Sequence, residues 1–480
     1  MQLHHPSRER ANVLLCVIGT ILIVSVIGGN ILLNCVTRFN AASGQVRGWK
    51  ESLYAAEAGG DLAYAEVRKT ILDPTHAFTS WTHAGSTYTS TPVTFGADGL
   101  STSAAADIFY YDTITGNAWY RLRVKGTAPL QGLKRVGMDD RMGVGTRGDS
   151  MLRKIDFNYD HFIAAYGASG DGTGKAVVPV SKPSVSRRIE LISAPVTPFE
   201  AAIKCSGSFY GLGSAAQIDS YNSKNGAYYF CATSPSDPHY SDSRSGSVEI
   251  GSATATVKGM LYGNLATNGG TVIRSSYVTG TIDNNVPFTI PPYRMPTNFP
   301  APQPSPTSIP GTVSLTPPTP GSPSAPTYYL LSSLSGKLTV NPSGSAETYV
   351  AIHVTNDMTA SIDVKPQVHL KIFFDGNMTV KARDIVNESG VAANLQYYGI
   401  SPSDPSTSQT IAIAPPGNFA ATIYAPSADV SLTGNPDITG ALVSKTFYGN
   451  GNTSWHYDRE LDTEGDAVDY RITSYVEDTR

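Results

Sequence analysis

The first feature of the sequence is a long apolar run near the N-terminus. Between Arg10 and Arg38 lie 27 residues without a charge, most of them Leu, Ile or Val. As a helix this run would measure roughly 40 Å, against about 30 Å for the hydrocarbon core of a bilayer. It is about twice as long as the apolar core of a cleavable signal peptide, roughly 7–15 residues. The pattern predicts a transmembrane half-helix over residues 11–37, in contact with membrane lipid, after a short cytosolic leader at 1–10.

The next segment has the period of an amphipathic helix. Apolar or small residues recur at steps of three or four, and charged residues occupy the other face. Asp73 and Pro74 end the pattern. We therefore expect one long helix whose second half, residues 38–74, is soluble and packs on a globular body. The apolar positions are Val46, Trp49, Leu53, Ala56, Gly60, Ala63, Val67 and Ile71.

The remaining chain has the pattern of short strands. Alternating segments of three to five residues are separated by Gly, Asn, Asp and Ser, which favours stacked parallel coils over a sandwich. Residues 75–286 and 328–461 are read as two β-rich regions. The 14 prolines between positions 287 and 326 indicate a linker or extended loop over 287–327. The predicted fold is mainly β with one long N-terminal α-helix, and the β region is a β-solenoid (parallel β-helix-like).

Charge adds one feature and excludes one class of partner. The net charge is −4 and no block of Lys or Arg occurs, so the chain has little with which to neutralise nucleic-acid phosphates. Residues 457–480 carry eight carboxylates and three arginines. We read residues 462–480 as an acidic tail, either solvated or lending oxygens to calcium.

Motifs for catalysis, metals and cofactors are weak. There is no HExxH and no GxSxG motif. In the segments with the clearest strand pattern, each Asp or Glu stands without a second carboxylate beside it. The glycine-rich segment 169–176 departs from the phosphate-binding loop, because it has Ser169 and Ala176 where that loop needs Gly and Ser or Thr. No catalytic residue, metal ligand or cofactor is predicted. Cys205 and Cys231 lie 26 residues apart, about one solenoid turn, so a disulfide between neighbouring coils is predicted, with free thiols as the alternative.

Two N-terminal motifs carry a resemblance to a known family. Arg8-Glu9-Arg10-Ala11 precedes the apolar run, and Tyr54-Ala55-Ala56-Glu57-Ala58-Gly59 follows it. In this order they resemble the N-terminal region of type IV pilus assembly proteins of the PilX type. The resemblance implies a single-pass protein of the bacterial inner membrane with its body in the periplasm or on the cell surface. It also implies other pilus proteins as partners and a candidate processing site between Ala11 and Asn12.

The C-terminal region carries a second resemblance. The motif IYAPxAxVxLxG includes Tyr424, Ala425, Pro426 and Gly434, and a closing HYDxxL motif begins with His456, Tyr457 and Asp458. Both resemble an uncharacterised β-rich domain at the C-terminus of bacterial PilX-like membrane-anchored proteins. This second resemblance implies architecture and no chemistry.

Three functions remain open at this point. The first is a non-catalytic, membrane-anchored pilin-like protein of pilus assembly or cell-surface structure. The second is a surface adhesin or scaffold, and the third is a β-helix enzyme that degrades polysaccharides. Such an enzyme needs two or three carboxylates on one face.

Overall fold

A single helix dominates the N-terminal part of the computed structural model. The structure describes residues 7–96, 99–112, 117–130, 184–251, 253–287, 289–296, 299–303, 307–404, 406–414 and 417–478, with α1 side chains from Val13 on, Leu14 excepted. Helix α1 runs over Ser7–Leu72, about 100 Å. It ends before Asp73 and Pro74, since proline has no N–H to continue the hydrogen bonding. The expected long helix is confirmed.

An antiparallel sheet packs on the second half of α1. Its first six strands are β1 (Thr82–Ala84), β2 (Thr87–Thr89), β3 (Val93–Phe95), β4 (Leu100–Tyr111), β5 (Ala118–Pro129) and β6 (Ser184–Val196). The order is β1-β2-β4-β5-β6, with β3 beside β4. We call α1 from Gly48 onward together with this sheet the helix–sheet module. Coils of a solenoid were expected here, but β4, β5 and β6 bury one face, and that face packs against the helix. The resulting alternation of buried and partly exposed residues suits an antiparallel sheet.

Residues 203–458 form a second unit, which we call the parallel body. All of its strand pairs are parallel, as the pattern of short strands predicted. Its strands are β7 (Ile203–Cys205), β8 (Phe209–Tyr210), β9 (Gln217–Tyr221), β10 (Val248–Ile250), β11 (Ala255–Thr256), β12 (Met260–Leu261), β13 (Leu265–Thr267), β14 (Val272–Ile273), β15 (Ile282–Asp283), β16 (Ser308–Ile309), β17 (Thr312–Leu315), β18 (Thr327–Leu331), β19 (Ser333–Leu334), β20 (Lys337–Val340), β21 (Thr348–Val354), β22 (Ser361–Val364), β23 (Val368–Phe374), β24 (Met378–Lys381), β25 (Ile385–Asn387), β26 (Leu395–Gly399), β27 (Gln409–Ala414), β28 (Asn418–Ala420), β29 (Thr422–Thr433), β30 (Asp437–Thr439), β31 (Leu442–Asn450) and β32 (Ser454–Asp458). Short 3₁₀ helices lie at Ser223–Asn225, Asp242–Arg244, Ser275–Tyr277, Ala382–Asp384, Ala392–Asn394 and Arg459–Thr463.

The chain enters the parallel body in the middle of its longest sheet. Strand β7 lies between β10 and β31, and β10, β13 and β15 follow outward on one side. Strand β18 lies at the opposite end of the same sheet. From there the order of strands leads back to β7 through β21, β23, β26, β29 and β31. The two arms of the body therefore meet at β7, although β7 and β31 are more than 230 residues apart in sequence.

A column of inward side chains runs through this join. Each member is in register with the next one on the neighbouring strand, so the apolar interior is continuous across both arms. The column is Tyr329, Ile352, Ile372, Tyr397, Ile423, Leu442, Ile203, Val248, Leu265 and Ile282.

The proline-rich segment is only in part the linker or extended loop expected over 287–327, because β16 and β17 lie in it and pair with β19 and β20. Its earlier part is attached to an outer face of the parallel body. The buried ring of Tyr293 stacks on Tyr398 with centroids 4.6 Å apart, and Phe299 stacks on Tyr328 at 5.0 Å. The Tyr424 hydroxyl donates to the carbonyl of Pro291 over 2.8 Å. The described residues of this segment thus cover a row of outward aromatic side chains.

The chain returns to the helix–sheet module after β32. Strand β33 (Asp469–Asp478) lies within the range read as an acidic tail, and it pairs antiparallel with β6. Asp469 is in register with Val196, so the chain leaves the module and re-enters it on neighbouring strands. The parallel body is therefore an insertion between two adjacent strands of the antiparallel sheet.

Candidate functional site

The first half of α1 presents an apolar surface. Its large side chains from Val13 to Phe39 are 48–76% exposed, with no charge between Val13 and Val36. By length and composition this part of the helix is able to cross a membrane. Exposed apolar side chains at this density favour burial in lipid or against other helices.

Small residues bring the second half of α1 close to the sheet. Ala55, Ala56 and Gly59 are buried there, which is where the structure places the AAEAG motif. A Cβ added to Gly59 would lie 2.0 Å from Thr102 Oγ1, and one added to Gly126 of β5 would lie 2.0 Å from a carbonyl oxygen of α1. The buried part of the motif thus sets the distance between helix and sheet.

Polar contacts attach β33 to the same helix. Arg68 makes two hydrogen bonds of 2.6 Å to the carboxylate of Asp469, and the Tyr64 hydroxyl donates to the carbonyl of Tyr470. Partly buried Glu57 accepts a 3.3 Å hydrogen bond from the hydroxyl of Tyr475. Ala58, its neighbour in the motif, is also partly buried. The last described strand therefore holds the exit of the parallel body against α1.

The closing motif contributes a buried histidine cluster. His456 on β32 is in register with Asp219 on β9, and both point outward from the body, yet they are only 3% and 0% exposed. They are covered by Tyr228, whose ring centroid lies 3.7 Å from that of His456. Tyr228 belongs to residues 222–247, a long connection between β9 and β10 that we call the excursion.

Both nitrogens of His456 are bound to carboxylates. Nδ1 lies 2.5 Å from Asp219 Oδ1, and Nε2 lies 2.5 Å from Asp437 Oδ1. Burial lowers the pKa of His456, but the hydrogen bonds and charges of the two carboxylates outweigh burial and raise it to about 9. Burial raises the pKa of Asp219, and the hydrogen bond and charge of His456 lower it by less than burial raises it. At neutral pH the imidazolium thus donates from both nitrogens, so it has no free lone pair for a metal or for general-base catalysis.

The other residues of the closing motif tie the exit segment to its surroundings. The Tyr457 hydroxyl donates to the carbonyl of Phe199 over 2.6 Å, near the entry to the body. Asp458 Oδ1 accepts from the backbone N–H of Ser223, in the excursion, at 3.0 Å. The HYD sequence therefore joins entry, exit and excursion.

The IYAP motif forms a corner between two ladders. Strand β29 pairs with β26 up to Tyr424 and with β27 from Ala428 onward, and the register shifts after Ala425. Pro426 is buried at this corner, and Gly434 has the positive φ of 82° that favours glycine. These motif positions are structural.

The expected disulfide is not formed. All four cysteines are within the described residues and are free. Cys205 is in register with Ile250 and Ser444 on its neighbouring strands, and its Sγ lies 3.3 Å from Ser444 Oγ, whereas Cys231 lies in the excursion. One turn of sequence thus does not bring the two thiols together, because the excursion breaks the period. Burial raises the pKa of Cys205 to about 12.

Several acidic residues of the closing motif and of the segment after it are held by protein partners. Asp466 pairs with Lys371 at 2.6 Å, and Glu460 pairs with Lys224. Within the described ranges no group of three or more His, Cys, Asp or Glu is arranged to hold a metal ion. The segment 169–176 lies outside the described residues, as do residues 1–6 and the side chains of Ala11 and Asn12.

Sequence reasoning missed two members of the histidine cluster. Asp219 looked isolated and Asp437 carried no signal, because they lie 237 and 19 residues from His456. Only the register of β9, β30 and β32 brings the three together.

Comparison with known proteins gives one family and one solved structure to report. A family model described as a domain of unknown function, DUF7305, matches residues 319–464, which include the IYAP and HYD motifs. The crystal structure of the competence-associated pilin ComZ from Thermus thermophilus aligns over 89% of this chain and 97% of that chain, with 11% identity and a TM-score of 0.21. No curated protein matches. At so low a TM-score, the role of the present chain has to be argued from its own geometry.

Proposed function

We propose that the chain is a membrane-anchored, exported pilin-like protein of the PilX type that takes part in type IV pilus assembly or cell-surface structure, without catalysis. In this role the first half of α1 lies in the bacterial inner membrane or among the helices of other pilus proteins. The helix–sheet module then carries the parallel body into the periplasm or onto the cell surface.

One observation carries the proposal. A single helix is exposed and apolar over its first half, and it is packed against an antiparallel sheet over its second half. In a soluble helix–sheet protein an uncharged helical extension of this length would be unfavourable, because it exposes apolar surface to water. A helix that docks in lipid or among other helices requires it.

The enzyme alternative lacks a suitable centre among the described residues. The clearest cluster of titratable groups is the one around His456, and its ring nitrogens are already bound by Asp219 and Asp437. The adhesin or scaffold alternative differs from the main proposal only in what contacts α1, so a test has to identify those contacts.

Photo-crosslinking from α1 provides that test. A photoactivatable benzophenone amino acid in place of Leu22, which is 62% exposed, is irradiated in native membranes and the adducts are identified by mass spectrometry. We expect adducts to the apolar helices of other pilin-like proteins. The same amino acid in place of Tyr448, exposed on the parallel body, is the control and should not give these adducts. Adducts to lipid alone would favour an anchored adhesin or scaffold, and adducts to neither lipid nor protein would refute anchoring.

Fractionation and N-terminal sequencing test anchoring and processing. The full chain should sediment with membranes, and a variant without residues 1–40 should be soluble because it lacks the apolar half of α1. A mature N-terminus at Asn12 would show cleavage after Ala11 by a prepilin-type peptidase. If the shortened chain still sediments with membranes, the proposed topology is wrong.

A further inference from the structure

The excursion encloses a cleft that the proposed function does not use. Its volume is about 310 Å³, and it lies between residues 220–231 and residues 237–243. Tyr221, buried in its wall, packs edge to face on Tyr228, which covers His456. The cleft is therefore built on the histidine cluster, but it opens to solvent on the other side.

The walls of the cleft are held by hydrogen bonds. Asp242 accepts from Arg459 Nη1 and from Asn225 Nδ2, both at 2.9 Å. Ser220 Oγ accepts from the backbone N–H of Ser245 at 2.7 Å. Because the excursion is fixed to β9 and to the exit segment in this way, the cleft is preformed, which lowers the cost of binding.

The chemistry of the lining defines a class of ligand. Asp237 offers a carboxylate, and the amide of Asn222 offers both donors and an acceptor. Asp242 and Asn225, which are bonded to each other, add their remaining lone pairs and N–H. The ring of Tyr229, 63% exposed, supplies an aromatic wall. Arg459 pairs with Asp242 at 2.9 Å, and His239 of the lining lies 3.6 Å from the same carboxylate. Among the described residues that line the cleft, Asp237 is therefore the carboxylate that a bound anion would meet without a compensating cation.

We propose that this cleft binds a single sugar ring of the hexose or hexosamine type, free or at the end of a glycan. Each sugar hydroxyl both donates and accepts, which matches the mixed donors and acceptors of the lining. A simple ammonium ion would leave the amide donors unmatched, because it has no acceptor. The C–H face of a sugar ring is apolar and suits contact with the ring of Tyr229. The volume of the cleft lies at the lower end of the range for ligand sites, roughly 300–1,000 Å³, which suits a single ring. The proposal does not depend on the pilus role.

The test uses three probes that share one ring and differ in charge. The full chain is purified in lauryldimethylamine oxide, a detergent without a sugar head group, and titrated with glucose, glucosamine and glucuronate by saturation-transfer NMR. We expect saturable binding of glucose or glucosamine, and none of glucuronate, because its carboxylate would meet the carboxylate of Asp237 in a cleft whose described lining holds no Lys or Arg. Absence of saturable binding by both glucose and glucosamine, or equal binding of glucuronate, would overturn the proposal.

Two variants place the binding in the cleft. Ala227→Trp fills the cleft with an indole and leaves its polar groups in place, so it should abolish binding. Tyr229→Ala removes the aromatic wall and should weaken binding roughly three- to tenfold. Tyr448→Ala, which removes another exposed tyrosine from the parallel body, is the matched control and should leave binding unchanged. Unchanged binding in Ala227→Trp, with far-UV circular dichroism showing an intact fold, would place the ligand elsewhere and overturn the assignment.

Discussion

The buried imidazolium predicts that the parallel body loses stability at alkaline pH. The pKa of His456 rises from 6.5 to about 9 on folding, owing to Asp219 and Asp437. A cation whose pKa is raised in the folded state stabilises that state fully below its unfolded pKa. That contribution is lost as the pH rises through the folded pKa.

The magnitude follows from the two pKa values. Each unit of pKa difference corresponds to about 1.4 kcal/mol, so the full contribution is about 3 kcal/mol near pH 6. The same relation leaves about 2 kcal/mol near pH 7.5 and only a small remainder near pH 9. His456 is only 3% exposed, so little screening by solvent is expected.

Fluorescence of Trp455 offers a local assay. Trp455 is buried beside His456, whereas the other three tryptophans belong to α1 or to the antiparallel sheet and its flanking turn. In a background with Trp49→Phe, Trp81→Phe and Trp119→Phe, the urea midpoint of the Trp455 signal should fall steadily between about pH 6.5 and pH 9.

Two carboxylate variants separate His456 from other titrating groups. Asp437→Asn removes the more exposed of its two partners and should flatten the pH dependence, because the pKa of His456 then rises less. Asp429→Asn is the matched control. It removes a carboxylate of the same body that accepts from Thr446 and does not face a histidine, so the slope should persist. A midpoint independent of pH in the parent, or equal slopes in both variants, would refute the buried imidazolium.

Three further predictions concern the helix–sheet module and the thiols. Gly126→Ala places a Cβ 2.0 Å from backbone of α1 and should lower the free energy of unfolding by about 1–3 kcal/mol, measured by thermal unfolding. Gly44→Ala, with nothing within 4 Å of the new Cβ, should not do so. Arg68→Ala removes both hydrogen bonds to Asp469 and should cost about 1–2 kcal/mol, seen as faster hydrogen exchange in β33; unchanged exchange would contradict this role. The Cys205 thiol should resist iodoacetamide until the chain unfolds, because burial raises its pKa to about 12; fast labelling of the native protein, or a disulfide-linked peptide, would count against a free buried thiol.

Elements with a local cause were predictable from sequence. The long helix follows from a continuous apolar run, an amphipathic period and a terminating Pro74, all of which act within a few residues. Strands of the parallel body follow likewise from short alternation between turn residues. Three assignments differed for physical reasons. Part of the segment read as a linker forms β16 and β17, because β19 and β20 offer parallel partners. The coils expected before β7 are antiparallel strands, because one of their faces is covered by α1. Residues 469–478 are a strand rather than a tail, because strand β6 provides backbone hydrogen-bonding partners from one end of this segment to the other.

The sequence by itself determined the elements that local chemistry decides: the long apolar helix, the small residues of its packed face and the parallel strands. Tertiary structure alone decided which distant residues meet. The join of β7 with β31, the pairing of His456 with Asp219 and the cleft of the excursion each depend on the register between strands far apart in sequence. A parallel ladder shows no local sign of its partner, since any strand of suitable alternation can pair with any other. Only the packing of one continuous apolar column selects the register that occurs.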